Sequence, residues 1–305
     1  MNLVKLHIYC KINTPQRLFK AIVVTAVFLW PVIILSSCNV INPDESIPAY
    51  IHIDTIGLTV NPVTDGSASC KITDAWVYSN GDLLGVYELP CTFPVLQEGE
   101  NDITIKAGIK MNGIAGSRAY YPFYAPYEQR IDLQPDVTFN LHPSVTYYSD
   151  KVHFNEDFED GGILFEKFGD SDTTIIKTSA SGCVFEGAYS GIINLNSACD
   201  HAISATSTGY ELPKTGTPVF LEMNYKTNNS FRVGLYAITG GQSIKNELIT
   251  LNTTDTWNKI YINLTSICSS NQSASNFKLY FEVYKETGIE NAVILLDNIK
   301  LVYND

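Results

Sequence analysis

The chain has 305 residues and a formal net charge of −12, with 20 Lys and Arg against 32 Asp and Glu. This length accommodates two domains of ordinary size. All acidic residues follow Cys38, whereas the basic residues Lys5, Lys11, Arg17 and Lys20 precede it. An acidic surface repels the phosphate backbone of nucleic acids, which excludes nucleic acid as a partner. It also repels anionic lipid, and it suits the binding of divalent cations.

The first residues have the order of segments that is typical of a secretory signal. A basic segment without acidic residues is followed by the apolar run Ala21–Leu35, and small residues follow that run. The stretch Leu35-Ser36-Ser37-Cys38 resembles the lipobox of bacterial lipoproteins. The resemblance implies that residues 1–37 are removed and that Cys38 is lipidated and anchors the protein to the outer membrane.

Two other interpretations of this segment stay open, namely an uncleaved anchor and a cleaved, secreted chain. The run Ala21–Leu35 is shorter than the about 20 residues of a spanning helix, and Pro31 interrupts its last turns. Asp44 and Glu45 resemble the surface-export signal of lipoproteins in the Bacteroidetes, although an acidic tether has the same composition. We therefore expect a lipid-anchored protein at the cell surface, with the periplasmic face as the alternative.

The number and spacing of the cysteines do not decide whether they form disulfides or remain free thiols. Five follow Cys38, an odd number that cannot pair completely within one chain: Cys70, Cys91, Cys183, Cys199 and Cys268. Cys70/Cys91 and Cys183/Cys199 are the pairs closest in sequence, and free cysteines buried as small hydrophobic side chains are the alternative. No Cys and His grouping has the spacing of a zinc site.

A β pattern begins after a short tether, residues 38–49. The Asn80-Gly81 pair lies between the apolar runs of Asp74–Leu89, and Asn112-Gly113 lies between Ile103–Ile109 and Ile114–Tyr121. Asn-Gly between apolar runs predicts a tight hairpin, because both turn residues need a positive φ. These hairpins and the later strands predict about seven short strands and a small antiparallel sandwich over residues 50–148.

The same segment resembles an immunoglobulin-like or transthyretin-like surface module. The resemblance lies in Asp74-Ala75-Trp76-Val77, in Asn80-Gly81, in Tyr87-Glu88-Leu89-Pro90 and in the spacing from Leu96 to Gly99. It implies a fold and indicates no ligand.

The tyrosine-rich stretch Tyr120–Tyr127 contains two prolines, Pro122 and Pro126, and is therefore not a central strand. Tyrosines bury a large area at low entropic cost, which suits a surface that contacts a partner or a ligand. The alternative is a loop whose rings pack against the sandwich or against the neighbouring domain.

The second domain, residues 152–305, carries three motifs in order. They are Asp157-Phe158-Glu159, the segment Trp257–Leu264 with alternating apolar residues, and Leu296-Asp297-Asn298-Ile299-Lys300-Leu301. Together they resemble the galactose-binding-like jelly rolls, a fold that many carbohydrate-binding modules share. Helical periodicity never persists. The expected fold class is thus all-β, an immunoglobulin/transthyretin-like sandwich followed by a galactose-binding-like β-jelly roll.

The resemblance implies a structural calcium ion between the first and last strands of the jelly roll. Its ligands would be Glu159 and Asp297, with Asp157 as a further one. Calcium takes six to eight oxygen ligands and needs several carboxylates. The alternative is a solvated acidic loop, with Asp297 capping a turn.

A glycan site is the second expectation for this domain. Sugars combine C–H surfaces that stack on aromatic rings with hydroxyl groups that need paired donors and acceptors. Tyr225, Lys226, Asn228 and Arg232 surround a polar sequence that is predicted to be a hairpin tip. The alternative is that the aromatic residues are core, as we expect for Trp257. Exposure of four tyrosines separates the two interpretations: Tyr225, Tyr236, Tyr280 and Tyr284.

No motif of a catalytic centre, a phosphate loop or a dinucleotide site is present. We therefore expect a lipid-anchored envelope protein that captures glycans at the cell surface without catalysis. One alternative is a structural accessory lipoprotein of an outer-membrane complex, whose partner would be an outer-membrane protein. A more remote one is a glycoside hydrolase or its accessory. This expectation uses an analogy at the level of the fold, which hosts many roles.

Overall fold

Strands form most of the structure, a computed structural model that describes residues 46–304. The leader, residues 1–37, and the lipidation candidate Cys38 lie outside the described residues. Within the described range, the only α-helix is the six-residue α1, Thr265–Ser270. None of the helices found there is long and apolar enough to cross a membrane.

The first module consists of three small sheets. Sheet A has the order β10-β1-β5, sheet B has the order β2-β11-β8, and sheet C has the order β4-β3-β6-β7 with β9 also on β6. The strands are β1 (Ala49–Ile53), β2 (Gly57–Thr59), β3 (Asp74–Ser79), β4 (Asp82–Glu88), β5 (Cys91–Val95), β6 (Gly99–Lys110), β7 (Arg118–Tyr120), β8 (Tyr124–Ala125), β9 (Tyr127–Leu133), β10 (Thr138–Leu141) and β11 (Ser144–Tyr147).

Both predicted hairpins of the first module are present, but only the one at Asn80-Gly81 is tight, because Asn112-Gly113 lies in a longer loop between Lys110 and Arg118. Asn80 and Gly81 have φ values of 50° and 90°, and Asn112 and Gly113 have φ values of 56° and 70°. The strand pairing is not purely antiparallel, however, because β1 pairs with β10 and β2 with β11 in parallel. Parallel pairs need long connections, so local turn signals do not reveal them. The immunoglobulin- or transthyretin-like identity of the module stays a prediction.

The second module is a sandwich of two sheets. Sheet D has the order β14-β15-β22-β17-β20 with β12 also on β22, and sheet E has the order β13-β16-β21-β18-β19. The strands are β12 (Val152–Glu156), β13 (Phe165–Lys167), β14 (Ile176–Thr178), β15 (Ser190–Leu195), β16 (His201–Thr206), β17 (Val219–Thr227), β18 (Phe231–Thr239), β19 (Gln242–Leu251), β20 (Thr254–Asn263), β21 (Asn276–Tyr284) and β22 (Ala292–Tyr303).

The first and last strands of this sandwich lie side by side, as the jelly-roll resemblance implies. Phe154 of β12 pairs with Leu301 of β22, and Glu156 pairs with Ile299. Apolar side chains of both sheets face each other and form one core. The expectation of an all-β chain built from sandwich sheets is confirmed.

Aromatic side chains join the two modules, and the described residues from Pro48 onward belong to one compact unit. Tyr121 and Phe123 of the tyrosine-rich stretch are buried against Phe220 of β17, with ring centroids 5.3 and 6.1 Å apart. Tyr261 of β20 and Val302 of β22 complete an apolar cluster that the two modules share. Tyr121 and Phe123 of this stretch therefore serve the junction between the modules, whereas Tyr120 is exposed.

A buried charge cluster lies within this junction. The Oε1 atom of Glu222 accepts hydrogen bonds from the hydroxyls of Tyr121 and Tyr147, at 2.7 and 2.8 Å. The Nζ atom of Lys259 lies 3.2 Å from Oε2 of the same carboxylate. Lys300, which is also buried, donates from Nζ to the carbonyl of Ser67 at 2.7 Å. Two ammonium groups and one carboxylate are thus enclosed where the modules meet.

The five cysteines of the described range are free, which corrects the alternative of two local disulfides. Cys268 is buried in the core of the second module, and burial raises the pKa of its thiol to about 12. It behaves as a small hydrophobic side chain.

Replacing Glu222 by Gln is expected to destabilise both modules together. The change leaves Lys259 buried without its carboxylate partner and removes a negative charge near Lys300, at a cost of about 3–5 kcal/mol in the free energy of unfolding. Urea denaturation followed by circular dichroism measures the loss. The matched control is Glu88→Gln, which removes an exposed carboxylate beside Lys110 and should change little. Equal effects of the two variants would contradict a special role for the buried cluster.

A second prediction concerns pH. Burial lowers the pKa of Lys300 from 10.5 to about 8. The unfolded chain keeps the proton on Lys300 to a higher pH than the folded chain does. Between pH 8 and pH 10.5, Lys300 therefore makes the free energy of unfolding rise with pH, by up to about 1.4 kcal/mol per pH unit. Urea denaturation across this range should show the rise in the wild type relative to Lys300→Met. Parallel pH curves for the two proteins would contradict the prediction.

Candidate functional site

The predicted ligand residues do not form one site. Asn228 and its two successors connect β17 of sheet D to β18 of sheet E, so this segment crosses between the sheets and is not a hairpin tip. Lys226 therefore lies on the outer face of sheet D, and Arg232 lies on the outer face of sheet E. Sequence proximity suggested one site, but the crossover places these side chains on opposite sides of the sandwich.

Two aromatic predictions need correction. Tyr225 is buried in the core, where its hydroxyl accepts a hydrogen bond from Nδ2 of Asn258 at 3.1 Å, so it does not reach a ligand. The reason is strand alternation, which points Tyr225 inward and Lys226 outward. Trp257, expected in the core, is only half-buried, because it faces outward from the edge strand β20 and packs on Phe185.

The outer face of sheet E carries a network around Glu282, a carboxylate that is only 1% exposed. Lys245 Nζ donates to Oε1 at 2.6 Å, and the Tyr284 hydroxyl donates to the same oxygen at 3.3 Å. His201 Nε2 lies 3.3 Å from Oε1, and Arg232 Nη1 lies 3.5 Å from Oε2. Strands β16, β21, β18 and β19 each contribute at least one member of this network.

Electrostatics keeps this carboxylate ionised. Burial opposes the ionisation of Glu282, but the hydrogen bond and the charge of Lys245, together with His201, lower its pKa below the usual value. A buried carboxylate that is held by several donors is a rigid acceptor. The heads of Lys245 and Arg232 remain partly exposed beside it.

Aromatic rings surround the Glu282 network. Tyr284 is 50% exposed, and its ring lies between the His201 ring, at 4.1 Å, and the Arg232 guanidinium, at 5.6 Å. Tyr236 and Tyr280 are buried on the same face, with centroids 4.7 Å apart. Of the four tyrosines whose exposure separates glycan binding from core packing, only Tyr284 is exposed.

The Tyr280 hydroxyl is a buried polar atom without a hydrogen-bond partner among residues 46–304. Gly234 makes room for it, because a Cβ at this glycine would lie 2.7 Å from the hydroxyl oxygen. Buried hydroxyls are normally paired, so this one has a free donor for a buried water molecule.

The predicted calcium ligands lie around a different pocket. Asp157, Glu159 and Asp297 line a cavity of about 350 Å³ together with Glu186. Its opposite wall is a loop of the first module, in which the Ser67 hydroxyl donates to Glu186 Oε2 at 2.5 Å. The fold therefore brings together the carboxylates that the resemblance selected, and it adds Glu186, which no sequence motif had indicated.

These carboxylates already have partners within the chain. Glu159 Oε1 accepts the backbone N–H groups of Ala188 and Tyr189, each at 2.9 Å. Asp297 Oδ2 accepts the Ser190 hydroxyl at 2.5 Å, and burial raises the pKa of Asp297 to about 7. Within the described range, no group of three or more His, Cys, Asp or Glu side chains has an arrangement that could hold a metal ion. The carboxylates thus do not form a closed set of ligands, and calcium stays a prediction.

Lys226 and Asn228 line a further cavity of about 520 Å³ on the outer face of sheet D. The same cavity is lined by Asp255 and by Leu295 of β22. The predicted ligand residues are therefore divided between this cavity, the outer face of sheet E and the core.

Comparisons with known proteins give matches only among solved structures. No protein-family model and no curated protein matches the chain. A xylan-binding domain of carbohydrate-binding-module family 22 is 13% identical, with a TM-score of 0.35 over 51% of this chain and 97% of that chain. A family 61 module in complex with β-1,4-galactotriose is 17% identical, with a TM-score of 0.35 over 51% and 100%.

A third match comes from a study of the promiscuous specificity of carbohydrate-binding modules of the β-sandwich superfamily. It is 14% identical, with a TM-score of 0.37 over 75% of this chain and 84% of that chain. These solved structures are carbohydrate-binding modules. At these TM-scores and sequence identities, neither the fold family nor the ligands of these modules can be assigned to this chain.

Calcium is expected to raise the melting temperature if the carboxylate pocket rearranges around it. A ligand that binds only the folded state adds about 2.7 kcal/mol at about 100 times its Kd. Differential scanning fluorimetry with calcium chloride measures the shift, and Glu159→Gln should abolish it. Glu98→Gln removes an exposed carboxylate of the first module and serves as the control. A wild-type protein without any calcium-dependent shift would make the prediction wrong.

Proposed function

We propose that the chain is a non-catalytic glycan-binding protein and that the outer face of sheet E is its binding surface. The observation that carries the proposal is the Glu282 network, in which one buried carboxylate is held by donors from neighbouring strands. The half-exposed ring of Tyr284 and the unpartnered hydroxyl of Tyr280 lie on the same face.

The chemistry of this face suits hydroxyl groups more than flat stacking. Because His201 and Arg232 flank the ring of Tyr284, the ring offers its edge to a ligand. Arg232 and Lys245 can donate to sugar oxygens. Groups that are already fixed by Glu282 lose little conformational entropy when they bind.

The proposal includes a lipid anchor on the outer membrane, at the cell surface of a Bacteroidetes-like bacterium. Its support is the motif that ends in Cys38 and the acidic residues Asp44 and Glu45. An acidic protein gains little from adsorption to anionic lipid, so the acyl chains would hold it to the membrane.

A second candidate is a structural accessory lipoprotein that binds an outer-membrane protein. It is favoured by an aromatic patch on the outer face of sheet C, where Trp76 and Tyr120 meet edge to face at 5.7 Å. Lys106 lies over the rings of Tyr78 and Tyr120, and Val86 is exposed beside them. Exposed patches of this composition are common in protein interfaces.

Replacing Tyr284 or Arg232 by Ala is expected to weaken glycan binding about tenfold or more, because each change removes a contact and a donor. A glycan array with the full chain identifies the ligand, and calorimetry then measures the affinities. Tyr148→Ala is the matched control, since Tyr148 is a similarly exposed tyrosine of the first module.

Each outcome of this experiment separates the candidates. Binding that survives both substitutions would place the glycan elsewhere and refute the assigned surface. A folded chain that binds no glycan would refute glycan binding and favour the accessory lipoprotein. Shortened glycan products after incubation, detected by mass spectrometry, would contradict the absence of catalysis.

A further inference from the structure

The cavity at the end of β17 has walls of different chemistry. Lys226 lies on one side, and Thr253 of the connection between β19 and β20 and Asp255 at the start of β20 lie on another. Val293 and Leu295 of β22 provide apolar surface, and the loop residues Gly182 and Cys183 close the remaining side. The volume of about 520 Å³ has room for a small sugar.

Two opposite charges in this cavity are unpaired. The side chains of Lys226 and Asp255 form no hydrogen bond or ion pair with another residue of the described range. A ligand with an anionic group and hydrogen-bond donors would interact with both the Lys226 ammonium and the Asp255 carboxylate.

Asn228 gives the rim of the cavity a fixed shape. Its Nδ2 donates to the carbonyl of Asn291 at 2.9 Å, and its Oδ1 accepts the N–H of Val293 at 2.7 Å. The Asn228 side chain is therefore held by the backbone at the start of β22 and acts as a positioning residue. Thr254 is similarly used, because its hydroxyl accepts the N–H of Thr227 at 3.3 Å.

We propose that this cavity binds a polyhydroxylated carboxylate, the chemistry of a hexuronic acid. The Lys226 ammonium pairs with the ligand carboxylate, and the Asp255 carboxylate accepts hydrogen bonds from neighbouring hydroxyls of the sugar. The Thr253 hydroxyl completes the polar wall, while Val293 and Leu295 contact the C–H face of the ring. The site is independent of the outer face of sheet E, which belongs to the other sheet.

The net charge of the whole chain limits the number of negative charges that the ligand can carry. A net charge of −12 repels polyanions, whereas a single carboxylate can be neutralised by Lys226. The cavity therefore binds one acidic sugar unit, either as a free sugar acid or at the end of an otherwise neutral oligosaccharide. The shared chemistry is the same in both cases.

Calorimetry with the full chain in detergent solution tests the site with galacturonate as the probe and galactose as its neutral counterpart. We expect galacturonate to bind more tightly than galactose, and Lys226→Gln to weaken it about tenfold or more. Asp255→Asn should weaken both sugars. Lys167→Gln is the control, because Lys167 is exposed on sheet E and does not line the cavity. Equal affinity for the two sugars, or an unchanged affinity of Lys226→Gln, would overturn the proposal.

A second measurement does not depend on affinity. Cys183 lines the cavity and is a free thiol, so saturating galacturonate should slow its modification by a small maleimide, as followed by mass spectrometry of the Cys183 peptide. Cys91 of the first module is the internal control and should react at an unchanged rate. Loss of protection in Lys226→Gln supports the site, and an absence of protection in the wild type refutes it.

The outcomes also distinguish this site from the proposed glycan face. Galacturonate binding that persists in Tyr284→Ala supports a separate cavity, and its loss there would refute the assignment. Protection by an oligosaccharide with one terminal galacturonate, at concentrations where free galacturonate fails, identifies the glycan end as the source. Equal protection of Cys183 by the oligosaccharide and by free galacturonate shows that the cavity recognises the single sugar acid alone.

Discussion

The buried carboxylate of Glu222 is the interaction on which the arrangement of the two modules depends. It lies on the outer face of sheet D and accepts hydroxyls from Tyr121 and Tyr147 of the first module, beside Lys259 of its own sheet. A charge of this kind is tolerated in the interior only when it is paired and hydrogen-bonded. The partners must therefore come from both modules, which joins them through a polar cluster within an apolar junction.

This junction determines which surfaces remain available to ligands. The first module and its loop near Ser67 cover part of sheet D, and the carboxylate pocket forms where that loop meets Glu186. The cavity beside Lys226 lies at the far end of β17, beyond the covered part. Sheet E carries the Glu282 network on its outer face. The two candidate binding surfaces are thus separated by the whole sandwich.

Local signals in the sequence predicted local structure well. Asn80-Gly81 and Asn112-Gly113 predicted two hairpins because only residues that adopt a positive φ fit such turns, and both pairs have positive φ values. The opening and closing motifs predicted the pairing of β12 with β22. The ligand set was predicted less well, because Tyr225 and Arg232 were assigned to one hairpin, whereas β17 and β18 belong to different sheets.

The sequence by itself determined the all-β class, the hairpins and the alternation of neighbouring side chains along a strand, since these follow from backbone sterics and a period of two. Only the tertiary structure decided which distant side chains meet. Glu282 gathers Lys245, His201 and Arg232 from three other strands, and Asp297 reaches Ser190 across the sheet. Such contacts depend on the order and register of strands that are far apart in the chain, which no local pattern encodes.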